Sequence, residues 1–386
     1  MVADGALTPM FARLPPVGQP LRVGLPEPIP PAPPGYALQL TQSGTAALGL
    51  ALLLARLRRP IGNGAQPEVL VPGYACPDLL AAAHWAGLRA VLVDLRRDDT
   101  RLCLDDLAAR CSGNSVALVA VNFLGIADDL PALQAFADER GLLLVEDDAQ
   151  WMPEPFDTAR LTGDGVILSF GRGKPVPLVG GGALLLRDGL QAELPTLQPS
   201  AAGALRTRAA LFAYNQLLRP WAYGLLSRLP IGIGGTHYHA LTDVHALDGL
   251  RAGQLAANQH WQAQRRRDVE AAISTQVLLR APQGTLDLPR LAATRAGRLL
   301  RYPILLRDRA TRDTALARLH AAGLGESAMY RQVLPDIDGV PPGGDAPPLP
   351  NARSFADRLL TLPTHAGVNA RHVERMAAAL AAIGAR

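Results

Sequence analysis

The stretch SFGRGKPVPLVGGG, residues 169 to 182, contains Lys174, the only lysine in a chain with 38 basic residues. Arginine serves everywhere else. A lysine amine can condense with an aldehyde to a Schiff base and can carry a proton when its environment lowers its pKa, whereas a guanidinium does neither at ordinary pH. A composition drifting toward arginine therefore has a chemical reason to stop here. The competing reading, a surface lysine that merely persisted, sits poorly with a position among glycines, five residues after Ser169.

Two other groups carry chemistry. In LLLVEDDAQ the acids Glu146, Asp147 and Asp148 stand where an apolar run ends, and because alternate strand residues face opposite ways, only one of two neighbours can point into a given site. Helix capping and metal ligation remain open for such an acid. In TQSGTAALGLALLLARL, Ser43, Gly44 and Thr45 precede an apolar helix, whose free N–H groups and positive dipole end suit a phosphate. Small residues at a helix start also act as plain caps.

The elements that must position these groups are legible as alternation. Apolar runs at 69–74, 90–95, 116–125, 142–147, 165–170 and 183–188 are separated by helix-like stretches such as DLLAAAHWAG and DLPALQAFADERG, the pattern of an α/β fold with a mainly parallel sheet covered on both faces. Ligands of such sheets bind beyond the carboxyl ends of the strands. Residues 1–35 read as a proline-rich extended arm and 36–245 as a large domain. Residues 246–386 read as a connecting helix, rich in Ala, Gln and Arg from about 241 to 274, followed by a smaller C-terminal α/β domain. The segment 335–350 reads as a loop by composition.

Composition excludes several classes. The charge of +4 on 386 residues is modest and the arginines are scattered, which does not suit a nucleic-acid binder. Cys76, Cys103 and Cys111 show no metal or disulfide spacing, and the start lacks a charged and then apolar leader, so a cytoplasmic location is expected. No uninterrupted apolar run is long enough to span a bilayer. The nearest, residues 206 to 230, has four arginines and two prolines. It reads as a buried or interface helix pair, with contact to a membrane surface as the rarer alternative. His237, His239 and His245 lack the acid or cysteine pattern that would complete a metal site.

Taken in order, SGTAAL (43–48), VLVPGYACPDLLAAAHWAGLRAVLVDL (69–95), VNFLGIADDLPAL (121–133), VEDDAQ (145–150), SFGRGK with its GGG (169–182) and LLTLPTHAGV (359–368) resemble the DegT/DnrJ/EryC1/StrS aminotransferase family. The resemblance runs from about residue 36 to the end. It implies a fold type I architecture and the cofactor pyridoxal 5'-phosphate (PLP). Lys174 would form the Schiff base with the cofactor and carry protons, and Asp147 would pair with the pyridinium nitrogen. Gly44, Thr45 and Ser169 would hold the phosphate, and Gln150 would lie near the ring. For the residue stacked on the ring the matching segment offers Tyr74 and Cys76, of which Tyr74 is taken. Asn122-Phe123-Leu124-Gly125 stands where many members have a histidine followed by an aromatic. GGTHYHALTDVHAL (234–247) stands where a GxNxR-like segment approaches the phosphate from a partner subunit.

The implied function is transfer of an amino group from a glutamate-like amino acid to a keto acceptor, a nucleotide-linked sugar first of all, by a homodimer with shared sites. Alternatives are a PLP-dependent lyase, an aminotransferase for a non-sugar substrate, or a non-catalytic PLP-binding member. A nicotinamide-binding fold is disfavoured, since no GxGxxG follows a first strand.

Overall fold

Runs such as EVLVP, LLVED and GVILS are buried at every residue, as strands must be when helices cover both faces of their sheet. In the computed structural model, which describes residues 12–62, 64–152, 160–190, 194–199, 203–228, 235–341 and 348–384, they form the middle of a seven-stranded sheet. In chain order the elements are β1 (Tyr36–Thr41), α1 (Gly44–Arg58), β2 (Glu68–Pro72), α2 (Asp78–Trp85), β3 (Arg89–Val93), α3 (Leu104–Arg110), β4 (Ser115–Val121), α4 (Leu130–Arg140), β5 (Leu143–Asp147), β6 (Gly165–Ser169) and β7 (Gly182–Arg187). The strand order is β1-β7-β6-β5-β4-β2-β3. Strands β3, β2, β4, β5 and β6 are parallel, and β7 alone is reversed, pairing antiparallel with β6 on one side and with the edge strand β1 on the other.

Register decides where chemistry can happen. Val121 pairs with Asp147 and Asp147 with Ile167, so β4 and β5 end together, β6 runs two residues further, and Asn122, Asp147 and Ser169 fall along one rim. Helix α1 is apolar around most of its circumference, and residues from Gly44 to Ala55 are largely buried against the sheet. Its N-terminus reaches the same rim.

The chain continues through α5 (Ala204–Leu217), α6 (Pro220–Leu226), α7 (Gly249–Ala252), α8 (Leu255–Ala263), α9 (Asp268–Ala272), β8 (Leu286–Asp287), α10 (Leu288–Ala292), β9 (Arg301–Leu305), α11 (Arg309–Ala321), α12 (Pro350–Arg358), β10 (Leu359–Pro363) and α13 (Ala370–Gly384). Strands β10, β9 and β8 form a second, antiparallel sheet. Its core, with Ile304, Leu360 and Leu380, is continuous with Tyr74, Phe123 and Leu124 from the carboxyl ends of β2 and β4. The two sheets therefore meet over the rim that carries the candidate site. Of the expected loop at 335–350, residues 342–347 lie outside the described residues, as do residues 1–11 of the arm.

The expected long helix at 241–274 is not one helix. Asp248 caps the short α7, accepting from the Arg251 amide at 3.1 Å, and the chain breaks again at Gly253 before α8. Beyond α8 the Arg298 guanidinium donates to the carbonyls of Ala263 and Arg265. Those carbonyls are thereby satisfied without a continuing helix, which a reading of composition cannot foresee.

The arm is extended, but it is not loose. Asn215 clamps Leu21 by both backbone groups, at 2.8 and 2.6 Å. Asn258 does the same to Arg22 at 2.8 and 2.9 Å, and Gln254 to Gly24 at 2.8 and 3.2 Å. Each side-chain amide turns a donor and an acceptor to the arm, so it satisfies an extended residue as a neighbouring strand would. Leu14, Val17 and Leu21 are buried.

His365 fastens the arm from the other side. Its Nε2 donates to the Pro15 carbonyl at 2.9 Å and its Nδ1 accepts from the Gly367 amide at 3.1 Å. Burial, offset by the Pro15 carbonyl and assisted by Arg265, His372 and Arg301, pulls its pKa down to about 4. The folded state thus binds the proton less well than the unfolded chain does, so this stability is complete above pH 6.5 and is lost as pH falls toward 4. Relative to a His365→Gln variant, the wild type should lose about 3 kcal/mol of unfolding free energy across that window. Urea titrations of both proteins at a series of pH values would test this; a constant difference would contradict it.

Candidate active site

The rim residues form one connected group. A β-carbon at Gly44 would lie 2.8 Å from Ser169 Cβ and 3.0 Å from its Oγ, and one at Gly171 would lie 3.7 Å from Ser169 Oγ and 3.8 Å from Lys174 Cγ. Gly44, Ser169 and the Lys174 loop are thus in direct succession. The loop reaches this position because Gly182 packs on the start of α1: a β-carbon there would come within 2.5 Å of Gly44 N and Ser43 O. Gly173, Gly180 and Gly181 take φ values of 73°, 144° and 106°, which only glycine adopts without cost. The glycines that flank the lone lysine therefore have a backbone reason to be there.

Ser43 caps α1, its hydroxyl accepting from the Ala46 amide at 3.1 Å. Capping and phosphate binding were alternatives for this segment, and both are compatible with the geometry. Ser43 serves the cap, while Gly44, Thr45 and Ser169 Oγ lie at the helix's positive end. No hydrogen bond of Ser169 Oγ occurs among the described residues.

Asp147 is buried at the end of β5, and one oxygen accepts from the Ala149 amide at 2.9 Å. Burial raises its pKa above the ordinary carboxylate value, the Ala149 amide and the Lys174 charge draw it back, and Asp78 raises it further. Such a carboxylate is stabilised by an added cation or N–H donor.

Its two neighbours point elsewhere. Asn122 donates to Glu146 Oε1 at 3.0 Å and also to Asp148 Oδ1, and its own oxygen accepts from the Asp128 amide at 3.0 Å. Glu146 Oε2 takes the amides of Thr162 and Gly163 at 2.9 and 3.0 Å. Burial and the Glu146 charge push the Asp148 carboxyl well above its ordinary value. Asn122 is therefore the polar link between two buried acids on the face opposite Asp147. Replacing it with leucine should destabilise the fold by about 3 kcal/mol, because both acids lose a donor they cannot replace from solvent. The denaturation midpoint should fall with an unchanged slope; an unaltered midpoint would refute this account of Asn122.

Gln150 is held rigidly, its Oε1 accepting from the Leu124 amide at 3.0 Å and its Nε2 donating to the Tyr330 hydroxyl at 2.9 Å. Tyr74 is placed differently from the other candidates. It is buried among Phe123, Tyr330 and Phe355 at centroid distances of 5.1 to 5.7 Å, and its hydroxyl donates to the Tyr330 carbonyl at 2.9 Å. Cys76, two residues on, is the member of this segment that feels both Lys174 and Asp147, and burial drives its thiol up to about 12.

Tyr330 escaped the sequence reading. It comes from the C-terminal third of the chain, and no local pattern marks it; Met329 before it has φ 52°, which only coordinates reveal. The segment 235–247 runs beside the entry to α1, where the Gln42 amide donates to the His245 carbonyl at 3.0 Å and the His245 amide to Gln42 Oε1 at 2.7 Å. Gly234 lies outside the described residues.

Comparison with known proteins bears on the family and the fold. The model of the DegT/DnrJ/EryC1/StrS aminotransferase family matches residues 36–381. A dTDP-3-amino-3,4,6-trideoxy-alpha-D-glucose transaminase of Micromonospora megalomicea subsp. nigra is 36% identical over 151 residues, 38% of either chain. An L-glutamine:2-deoxy-scyllo-inosose aminotransferase of Micromonospora echinospora is 37% identical over 112 residues, 28% of this chain and 25% of that one. The matches thus span less than half the length of these relatives. Among solved structures, S. venezuelae DesV in complex with a ketimine intermediate superposes with a TM-score of 0.66 at 23% identity, covering 90% of this chain and 85% of that one. NtdA of Bacillus subtilis with bound cofactor PMP gives 0.67 at 16% identity, covering 90% and 73%. These likenesses establish the fold, and the family model spans nearly the whole chain from β1 to α13: the chain belongs to the DegT/DnrJ/EryC1/StrS aminotransferase family.

Proposed function

We propose that the chain is a PLP-dependent aminotransferase that converts a keto group to an amine, on a nucleotide-linked sugar or a similar polyhydroxylated ketone, with glutamate or glutamine as amino donor. The observation that carries this reading is Asp147. It is a buried carboxylate beside the only lysine, with burial and Asp78 holding its pKa up. A protonated ring nitrogen is the partner such a group lacks.

The other residues fit the same occupant. The Gly44 and Thr45 amides, the α1 dipole and Ser169 Oγ would hold a phosphate, and the close approach of Gly44 to Ser169 leaves no side chain to obstruct it. When bound, pyridoxal phosphate supplies an aldehyde that accepts the donor's nitrogen and a ring that accepts electrons. Lys174 Nζ would bind the cofactor covalently, then move a proton between the substrate carbon and the cofactor in each half of the reaction. Asp147 would keep the ring nitrogen protonated. Gln150, fixed by Leu124 and Tyr330, would bound the ring's position. A homodimer with shared sites and a cytoplasmic location belong to the same proposal.

A second reading, PLP chemistry on a non-sugar substrate or a lyase reaction, is favoured by the segment 235–247, which departs from the family pattern and lies along the entry to α1. One experiment separates the two. PLP-loaded protein should show a visible absorption band that glutamate or glutamine bleaches, and a dTDP-linked keto sugar or a keto-cyclitol should restore it. Recovery only with simple ketones or aldehydes would favour the second reading. A wild type that stays colourless after PLP addition would overturn both.

A further inference from the structure

Helices α5 and α6 present an apolar face that nothing among the described residues covers. Their surroundings in sequence are one-sided in charge: residues 194 to 242 contain four arginines and neither Asp nor Glu. In α5, Thr207, Leu211 and Tyr214 face inward. Leu205 and Phe212, seven residues apart, share the opposite stripe and are 83% and 71% exposed. At 3.6 residues per turn, Arg206 and Arg208 fall on either flank of that stripe. Helix α6 repeats the arrangement, with Trp221 and Leu225 four residues apart and 54% and 58% exposed. Single exposed apolar residues are ordinary, whereas successive stripes of them mark a surface that binds something.

Two occupants could cover such a face: a second copy of the chain or a lipid surface. Charge decides between them. A two-fold axis through this face would set arginine against arginine, and no acid within 194–242 could neutralise them. Anionic headgroups would neutralise them, while Phe212 and Trp221 would enter the boundary between headgroups and acyl chains. No helix among the described residues is long and apolar enough to cross a membrane, so the contact would be peripheral. We infer that α5 and α6 form a docking face for a membrane surface rich in anionic phospholipid. The inference stands apart from the reaction the enzyme performs.

Sedimentation of the full-length protein with phosphatidylglycerol/phosphatidylcholine vesicles tests it. The wild type should co-sediment at low ionic strength, and binding should fall about tenfold or more in high salt or with phosphatidylcholine alone. A Phe212→Ser/Trp221→Ser variant should bind about tenfold less tightly or worse, with its molar mass by light scattering unchanged. A second variant, Arg206→Gln/Arg208→Gln/Arg219→Gln, alters only exposed polar groups and should lose affinity for phosphatidylglycerol in the same assay. Absence of wild-type binding at low salt, or either variant binding like the wild type, would overturn the inference. So would a molar mass that halves in the serine variant, which would give the face to a second copy.

Discussion

Lys174→Ala protein loaded with PLP should show no visible absorption band from the covalently bound cofactor, should not trap it on borohydride reduction, and should transaminate at least about 10⁴-fold more slowly. The size follows from losing two functions at one atom. Nζ is the only lysine nitrogen in the chain, so no neighbour can take over the bond, and general acid and base catalysis by a positioned amine is alone worth about 10² to 10⁴. A Lys174→Arg variant sharpens the test. It keeps the positive charge beside Asp147 but cannot form the bond, so it should fail as fully as alanine. Retention of the band or of substantial activity in either variant would remove Lys174 from the mechanism.

The second large effect has opposite signs in two measurements. Asp147→Asn should lower activity by about 10² or more, because a buried charged partner is worth about 3 kcal/mol to the group it holds. In the same variant the cofactor-free protein should become more stable at neutral pH. The folded state raises the pKa of Asp147, chiefly by burial, so the ionised carboxylate costs stability above that pKa and the cost disappears as pH falls. Asparagine removes it throughout. Thermal melting of cofactor-free wild type and variant at pH 7 should therefore rank the variant higher, while equilibrium dialysis should show weaker PLP retention. A merely structural carboxylate would not give this inversion; a variant less stable without cofactor would count against the assigned role.

Much of this architecture is written in short-range pattern. The six apolar runs with helical spacers correspond to β2 through β7, because a strand buried on both faces must be apolar throughout and its connection must be amphipathic. The edge strand β1, YALQLT, carries no such signal: its buried and half-buried residues mix polar with apolar types. The helix at 241–274 failed for a related reason. Its composition is helical, but the capping by Asp248 and the guanidinium of Arg298 come from tertiary contacts.

At the rim the division is finer. The period of two along β5 states that Asp147 faces away from Glu146 and Asp148, but it does not say which face holds a ligand. Only the fold shows that Asn122 gathers the outer two acids on the far side, leaving Asp147 on the other. The position of Tyr74 likewise depends on Tyr330, more than two hundred residues further on, whose carbonyl holds its hydroxyl.

By itself, then, the sequence determined that one lysine sits in a glycine loop after a buried strand, that an acid ends the strand before it, and that small residues open the first helix. Those are local facts, set by strand and helix periodicity and by the backbone freedom of glycine. The tertiary structure decided that Asn122 joins the two acids flanking Asp147, that Tyr74 is locked among the aromatic rings of the second sheet's core, and how side-chain amides bind the arm. These depend on contacts between residues far apart in the chain, where shape and hydrogen-bond satisfaction choose the partner and no local pattern records the choice.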